Sequence, residues 1–189
     1  MTDQMRNWLT RGALALVFLI VGVVAGWIFR GMGKPDVPRI FVYQDWRLAC
    51  PKDSDTKASC QLMNEFVDAR SGVPLAAVSF EKQDGKRVLV IRAPLTVLIP
   101  AGVGLQFGSD TKTYQYATCA PAGCFAFVPL DDKLEASFDS AQSFSVVVTV
   151  SQNGKNASIP MSIKGFAEAH KAFNDIEARR QSWWRRLWS

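Results

Sequence analysis

The stretch from Gly12 to Phe29, GALALVFLIVGVVAGWIF, carries no charged residue and is closed by Arg11 on one side and Arg30 on the other. Eighteen helical residues rise about 27 Å, close to the thickness of a bilayer core. The reading is therefore a transmembrane anchor over 12–29, preceded by an N-terminal segment 1–11. A cleaved leader is the rival, because Val23-Val24-Ala25 offers small residues to a peptidase. Trp27-Ile28-Phe29 extend the apolar run beyond that point, which favours retention. Gly22 and Gly26 form a GxxxG pair, a spacing that lets helices approach but is also common in membrane helices generally. Flanking charge does not settle which way the anchor faces, since long domains translocate largely regardless of it.

A net charge of +5 would point to nucleic acid if it were spread over a folded surface. It is not: residues 40–165 hold twelve basic and twelve acidic side chains, so the excess sits in the ends. Arg6, Arg11, Arg30, Lys34 and Arg39 surround the apolar run, and Arg179, Arg180, Arg185 and Arg186 crowd the C-terminus. That placement suits a membrane surface and argues against nucleic acid.

The four cysteines are Cys50, Cys60, Cys119 and Cys124. Three pairings exist on paper, and the spacing favours Cys50 with Cys60 and Cys119 with Cys124. A zinc site would have to use x9 and x4 spacings with a single histidine in the chain, and no C-x-x-C redox motif occurs. No metal and no cofactor are expected. Structural disulfides imply an oxidising compartment and so place the domain outside the cytoplasm.

Residues 30–38 form a Gly/Pro-containing linker, and a single β-domain is expected over 39–178. Arg39–Ala49 alternates without clean faces. Two hairpins are expected: Leu75–Glu81 with Lys86–Ala93 around Asp84-Gly85, and Phe144–Ser151 with Asn156–Ile163 around Asn153-Gly154, both with type I′ turns. Leu95–Ile99, Val103–Phe107, Tyr114–Cys119 and Cys124–Pro129 read as shorter strands, with no helix between them. The fold class is mainly β: a sandwich-like antiparallel domain, preceded by the transmembrane helix. A C-terminal amphipathic helix follows, with Phe166, Ala169, Phe173 and Ile176 on one face, interrupted at Arg180.

The ordered set Trp46-Arg47-Leu48-Ala49-Cys50, Cys60, Leu98-Ile99-Pro100-Ala101-Gly102-Val103-Gly104-Leu105, Cys119, Gly123-Cys124 and Ser162-Ile163-Lys164-Gly165-Phe166 with Ala169 resembles the invasion-associated locus B family of alphaproteobacterial envelope proteins. The likeness runs from about Trp46 to Phe173. It implies an extracytoplasmic β-rich domain with two local disulfides and no established enzymatic activity. The apolar run and the cysteines together lead to the expectation of a single-pass bacterial inner-membrane protein, N-terminus in the cytoplasm and domain in the periplasm. Here the apolar run and the tail depart from the commoner secreted pattern.

Catalytic machinery is hard to assemble. His170 is the single histidine, at the edge of the helix's apolar face, where a surface or packing role is expected. Ser54-x-x-Lys57 lacks partner motifs, and Asp131-Asp132 with Glu135 read as a solvated turn. No catalytic residue is assigned. The tail 179–189 is the remaining candidate: Trp183, Trp184, Leu187 and Trp188 with Arg185 and Arg186 suit anionic lipid headgroups or a protein interface. The expected function is a membrane-anchored, non-enzymatic binding or accessory protein contacting an envelope protein or complex. A host-cell interaction factor is the alternative, and a hydrolase or thiol oxidoreductase the third reading.

Overall fold

The structure, a computed structural model, describes residues 16–26, 37–52, 54–55 and 58–181. Two compact units divide at Asp36 and Val37. In the first, residues 16–26 are helical (α1). No helix among the described residues is long and apolar enough to cross a membrane. The remainder of the expected 12–29 span lies outside the described residues.

Among its described residues the second unit holds eleven strands: β1 Arg39–Tyr43, β2 Trp46–Cys50, β3 Gln61–Val67, β4 Pro74–Gln83, β5 Lys86–Ala93, β6 Val103–Phe107, β7 Asp110–Tyr114, β8 Thr118–Ala120, β9 Gly123–Pro129, β10 Phe144–Thr149 and β11 Asn156–Met161. Helix α2, Asp132–Ser140, lies between β9 and β10, and α3, Phe166–Gln181, follows β11. A seven-stranded sheet runs β1-β2-β3-β4-β5-β9-β8, and a four-stranded sheet runs β11-β10-β6-β7. Neighbouring strands in both sheets pair antiparallel. One core joins the two sheets, from Leu48, Leu62, Val78, Leu89 and Ile91 to Val103, Leu105, Val146 and Val148. The mainly β, sandwich-like reading and the C-terminal helix stand.

Aromatic side chains close one end of this core. Trp46 lies 4.9 Å from Phe166 and Phe138 lies 5.0 Å from Phe80 and 5.1 Å from Phe144, ring centre to ring centre, in tilted and edge-on arrangements that such rings prefer. Trp46 buries its whole surface, and its Nε1 donates to the Ser162 carbonyl at 3.1 Å. Gly165 starts α3 at φ 83°, and a Cβ there would collide with the Tyr43 carbonyl. Gly123 holds φ 135° against the Ala93 carbonyl at the start of β9. In both places only glycine fits, which explains two residues of the ordered set that runs from Trp46 to Ala169.

Several local expectations are corrected. Arg39–Ala49 is a hairpin rather than one run, turning through Gln44 at φ 54° and Asp45, which is why its faces did not separate. Asp84 and Gly85 take the positive φ values of the expected turn, 50° and 76°. At the second hairpin only Gly154 does; the strands end at Thr149 and Asn156, and Gly154 N donates to the Val150 carbonyl in a wider loop. Leu95–Ile99 is a turn with one isolated bridge, Val97 to Val150, leading into a 3-10 turn at Ile99–Ala101. The expected strand Tyr114–Cys119 is broken into the end of β7 and the start of β8. Helix α2 replaces the solvated turn: the Asp131 side chain accepts from Leu134 N at 2.7 Å as its N-cap, with Leu134 and Phe138 on the buried side. Helix α3 passes through Arg180 without interruption and is described as far as Gln181, so the first residues assigned to the tail belong to the helix.

Candidate functional site

The two faces of the seven-stranded sheet take alternate residues of the same strands. One face carries Trp46, Leu48, Leu62, Val78, Phe80, Leu89 and Ile91 into the core. The register places Met63 beside Ser79, Glu65 beside Ala77, Ser79 beside Val90, Ala77 beside Arg92, Val90 beside Phe127 and Arg92 beside Phe125 on the other. Ile40 and Val42 of β1 also lie on this outer face and are exposed, as is Phe127.

The outer face is hollowed at its centre. A groove of about 420 Å³ is lined by Met63, Ala77, Ser79, Val90, Phe125 and Phe127 among others. Its floor residues Ala77, Ser79 and Val90 are only 6%, 7% and 7% exposed although they point away from the core. Small side chains on β4 leave the depression, and larger ones on β3 and β9 wall it. Polar groups stand at its margins: Gln61, Glu81 and Arg92, whose guanidinium pairs with the Glu65 carboxylate. Burial holds the Glu81 carboxyl above its ordinary range, against a weaker opposing hydrogen bond from Ser79. An apolar hollow with few polar groups is the usual form of a binding site.

The other polar cluster is structural in its geometry. His170 Nε2 lies 3.0 Å from Glu135 Oε1 and 3.2 Å from Asn174 Nδ2, and Nδ1 lies 3.5 Å from Asp139 Oδ1. Its ring stacks on Phe166 at 5.0 Å. Glu135 also pairs with Arg87, whose second amino group reaches Asp132 at 2.8 Å. The cluster thus ties α3 to α2 and β5. No hydroxyl or thiol hydrogen-bonds to His170 among the described residues, so a nucleophile for it to activate is lacking there. Buried Glu135, expected in a solvated turn, is instead part of this clasp. No group of three or more potential metal ligands occurs among the described residues.

The structure joins Cys50 to Cys60 and Cys119 to Cys124. The first loop is fastened to α3: Glu177 Oε1 accepts from Cys60 N at 2.6 Å, and the Arg180 guanidinium donates to the carbonyls of Pro51, Lys52, Asp55 and Ala58 at 2.6–3.3 Å. Ser54 lies in this loop, and its motif partner Lys57 lies outside the described residues. Trp183, Trp184, Arg185, Arg186, Leu187 and Trp188 also lie outside them. The groove escaped sequence reading, although a signal for it exists. Ala76–Phe80 and Val88–Ile91 are apolar or small on both faces, whereas a sheet with one wet face alternates.

Residues 46–174 match the family model for the invasion associated locus B (IalB) protein. The chain belongs to the invasion-associated locus B family. Among curated proteins it is similar to two Invasion protein B homologs of Brucella abortus, from strain 2308 and from biovar 1 strain 9-941. Each is 28% identical over 134 residues, covering 67% of this chain and 74% of the homolog. Among solved structures it is similar to invasion associated protein B of Bartonella henselae, with a TM-score of 0.64 at 19% identity, over 74% of this chain and 99% of that one. The latter likeness establishes a shared fold. The IalB match spans both disulfides, the groove, and α3 as far as Asn174, and it stops before the Trp/Arg tail.

Proposed function

We propose that this IalB-family chain is an envelope-tethered, non-enzymatic binding module that docks a partner protein on the outer face of its larger sheet. The observation that carries the reading is the groove floor: Ala77, Ser79 and Val90 are apolar or small, outward-facing, and buried at the bottom of an open hollow. Contiguous apolar surface of this kind marks an interaction site in a folded domain. Two disulfides support a periplasmic location, and the apolar run 12–29 supports a single-pass anchor with the N-terminus in the cytoplasm. The His170 cluster supports a non-enzymatic reading, because its carboxylates and amide are engaged in fastening helices. Invasion is in the names of the relatives; for this chain the envelope partner is the more economical reading, since the groove needs only an apolar, protein-sized surface.

The test is affinity purification of the full-length chain from native membranes in mild detergent. Val90→Asp and Ala77→Arg place a charge in the groove without touching the inner core. Both should abolish a stoichiometric partner while the circular dichroism spectrum stays native. A partner retained by both variants removes the groove from the interface.

A further inference from the structure

Among the described residues β1 and β8 end the larger sheet, and β7 and β11 end the smaller one. An edge strand offers unpaired N–H and C=O groups to another strand, and folded domains usually blunt it. Three of these edges are blunted. β8 is three residues long and is stapled to β9 by Cys119–Cys124, β7 reads Asp110-Thr111-Lys112-Thr113-Tyr114, and β11 contains Pro160. β1 is different: it has five residues, no proline, and its one charge at the first position, Arg39. Its Ile40 and Val42 are 68% and 65% exposed.

The hairpin fixes the hydrogen-bond phase of β1. Only Gln44 and Asp45 separate Tyr43 from Trp46, so those two residues exchange the bonds that close the turn. Alternation along the ladder then commits Phe41 and Arg39 to Leu48 and Cys50 of β2, and turns the main-chain groups of Ile40 and Val42 to the open edge. No other described residue makes a main-chain hydrogen bond to them. A strand added here must offer its groups in the same phase. A second copy of β1 does so in one antiparallel register, with Ile40 opposite Val42 and a two-fold axis at Phe41, which pairs every open-edge group of both residues. The neighbouring registers fail. Ile40 opposite Ile40 sets Val42 against Pro38, which has no N–H, and Val42 opposite Val42 sets Ile40 against Gln44, held at φ 54° in the turn. In the surviving register Ile40 and Val42 pack together on the outer face. On the other face Phe41 meets Phe41 and Arg39 meets Tyr43, in the non-hydrogen-bonded positions where side chains approach most closely.

We propose that β1 is a dimerisation edge: two copies of this chain pair antiparallel through β1, Ile40 against Val42, and join their seven-stranded sheets edge to edge. The groove lies on β3, β4, β5 and β9, separated from this edge by β2, and it stays open in the pair. The pairing therefore stands whether or not the groove holds a partner. Strand pairing about this axis keeps the two outer faces on one side, so the dimer presents two grooves facing the same way. A partner with repeated segments then gains avidity by filling both.

The experiment uses the full-length chain in mild detergent. Sedimentation across a concentration series should show a dimer that grows with concentration. With the photoreactive residue p-benzoylphenylalanine replacing Phe41, light and heavy isotopic copies are mixed and irradiated. Trypsin cuts after Arg39 and Arg47, and a light peptide 40–47 should be found linked to a heavy one. Val42→Pro removes an open-edge N–H and leaves the bonds to β2 in place. It should weaken association at least about tenfold while the circular dichroism spectrum and the urea midpoint stay near the parent's. Ile40→Lys puts a charge on the same edge through an exposed side chain, and it should weaken association as much without touching the hairpin's main chain. A chain that stays monomeric throughout the series overturns the proposal, as does a dimer that Ile40→Lys leaves intact. Links from position 41 to a different part of the second copy overturn the register. Capture of another protein at position 41 in native membranes, with no mixed-isotope link, makes the edge a docking site for a foreign strand instead.

Discussion

The inner and outer faces of the seven-stranded sheet share every strand, yet they reach burial by different means. On the inner face Trp46, Leu48, Leu62, Val78 and Phe80 are sealed by the second sheet and by Phe138 and Phe166 of the helices. On the outer face Ala77, Ser79 and Val90 are shielded sideways, by Met63, Phe125 and Phe127 on neighbouring strands. The first kind of burial is lost if the fold is lost. The second leaves an open hollow in the folded domain, so its apolar surface remains to be covered by something else. Substitutions should therefore divide cleanly: inner positions move stability, outer positions move binding.

The largest effect tests the inner half. Trp46→Ala removes a fully buried ring packed on Phe80, Phe144 and Phe166 and strips the Ser162 carbonyl of its donor. It should destabilise the domain by about 3–5 kcal/mol in urea denaturation. A loss below about 1 kcal/mol would mean that this face is not the cooperative core. Next comes Cys119→Ser, at the edge of the same sheet. It opens a short loop and strands buried Cys124, with an expected loss of about 2 kcal/mol under oxidising conditions. Under full reduction the variant and the parent should converge, and a persisting gap would assign the loss to packing instead.

How much of this was legible in the sequence divides along the same line. The Asp84-Gly85 hairpin could be read because two adjacent residues with positive φ leave a strong local mark. The apolar stripe of α3 could be read because Phe166, Ala169 and Phe173 repeat at helical spacing over several turns. The Gln44–Asp45 turn could not, since it has no glycine and its geometry is held by Asn64 Nδ2 donating to the Asp45 carbonyl at 2.7 Å, from a distant strand. Helix α2 is short, and its acidic first turn, Asp132 and Glu135 behind the Asp131 cap, resembles a polar loop until Leu134 and Phe138 are seen as one face. The groove belongs to neither local pattern. It needs β3, β4, β5 and β9 in register, and the β5–β9 pairing that completes it joins strands far apart in sequence.

The third prediction tests the outer half. Phe127→Ser alters a half-exposed ring in the groove wall. Stability should change by about 0.5 kcal/mol or less. Binding of a partner protein should nevertheless fall at least about tenfold, read by titration with the purified partner. A variant that unfolds readily would show that the outer wall carries the fold, and the contrast between the faces would disappear.

The smallest effect asks whether the groove is desolvating even when open. Burial raises the Glu81 carboxyl above its ordinary value of 4.5, so the folded state holds its proton more tightly than the unfolded chain does. The sign comes from linkage: the contribution to stability is present below the unfolded value and is lost as pH rises through the folded one. Glu81→Gln keeps the shape and removes the charge. At about pH 7 it should be slightly more stable than the parent, and by about pH 4 the two should coincide, as measured by urea midpoints at both values. Because Glu81 is only half-buried, the gap should be small in the open domain. A bound partner that brings no cation to the carboxylate should widen it by desolvation, whereas one presenting a cation should close or invert it. Glu81→Gln measured with and without the bound partner therefore separates an apolar cover from a cationic one. Identical gaps in the free and bound domain would mean that the partner never reaches this carboxylate.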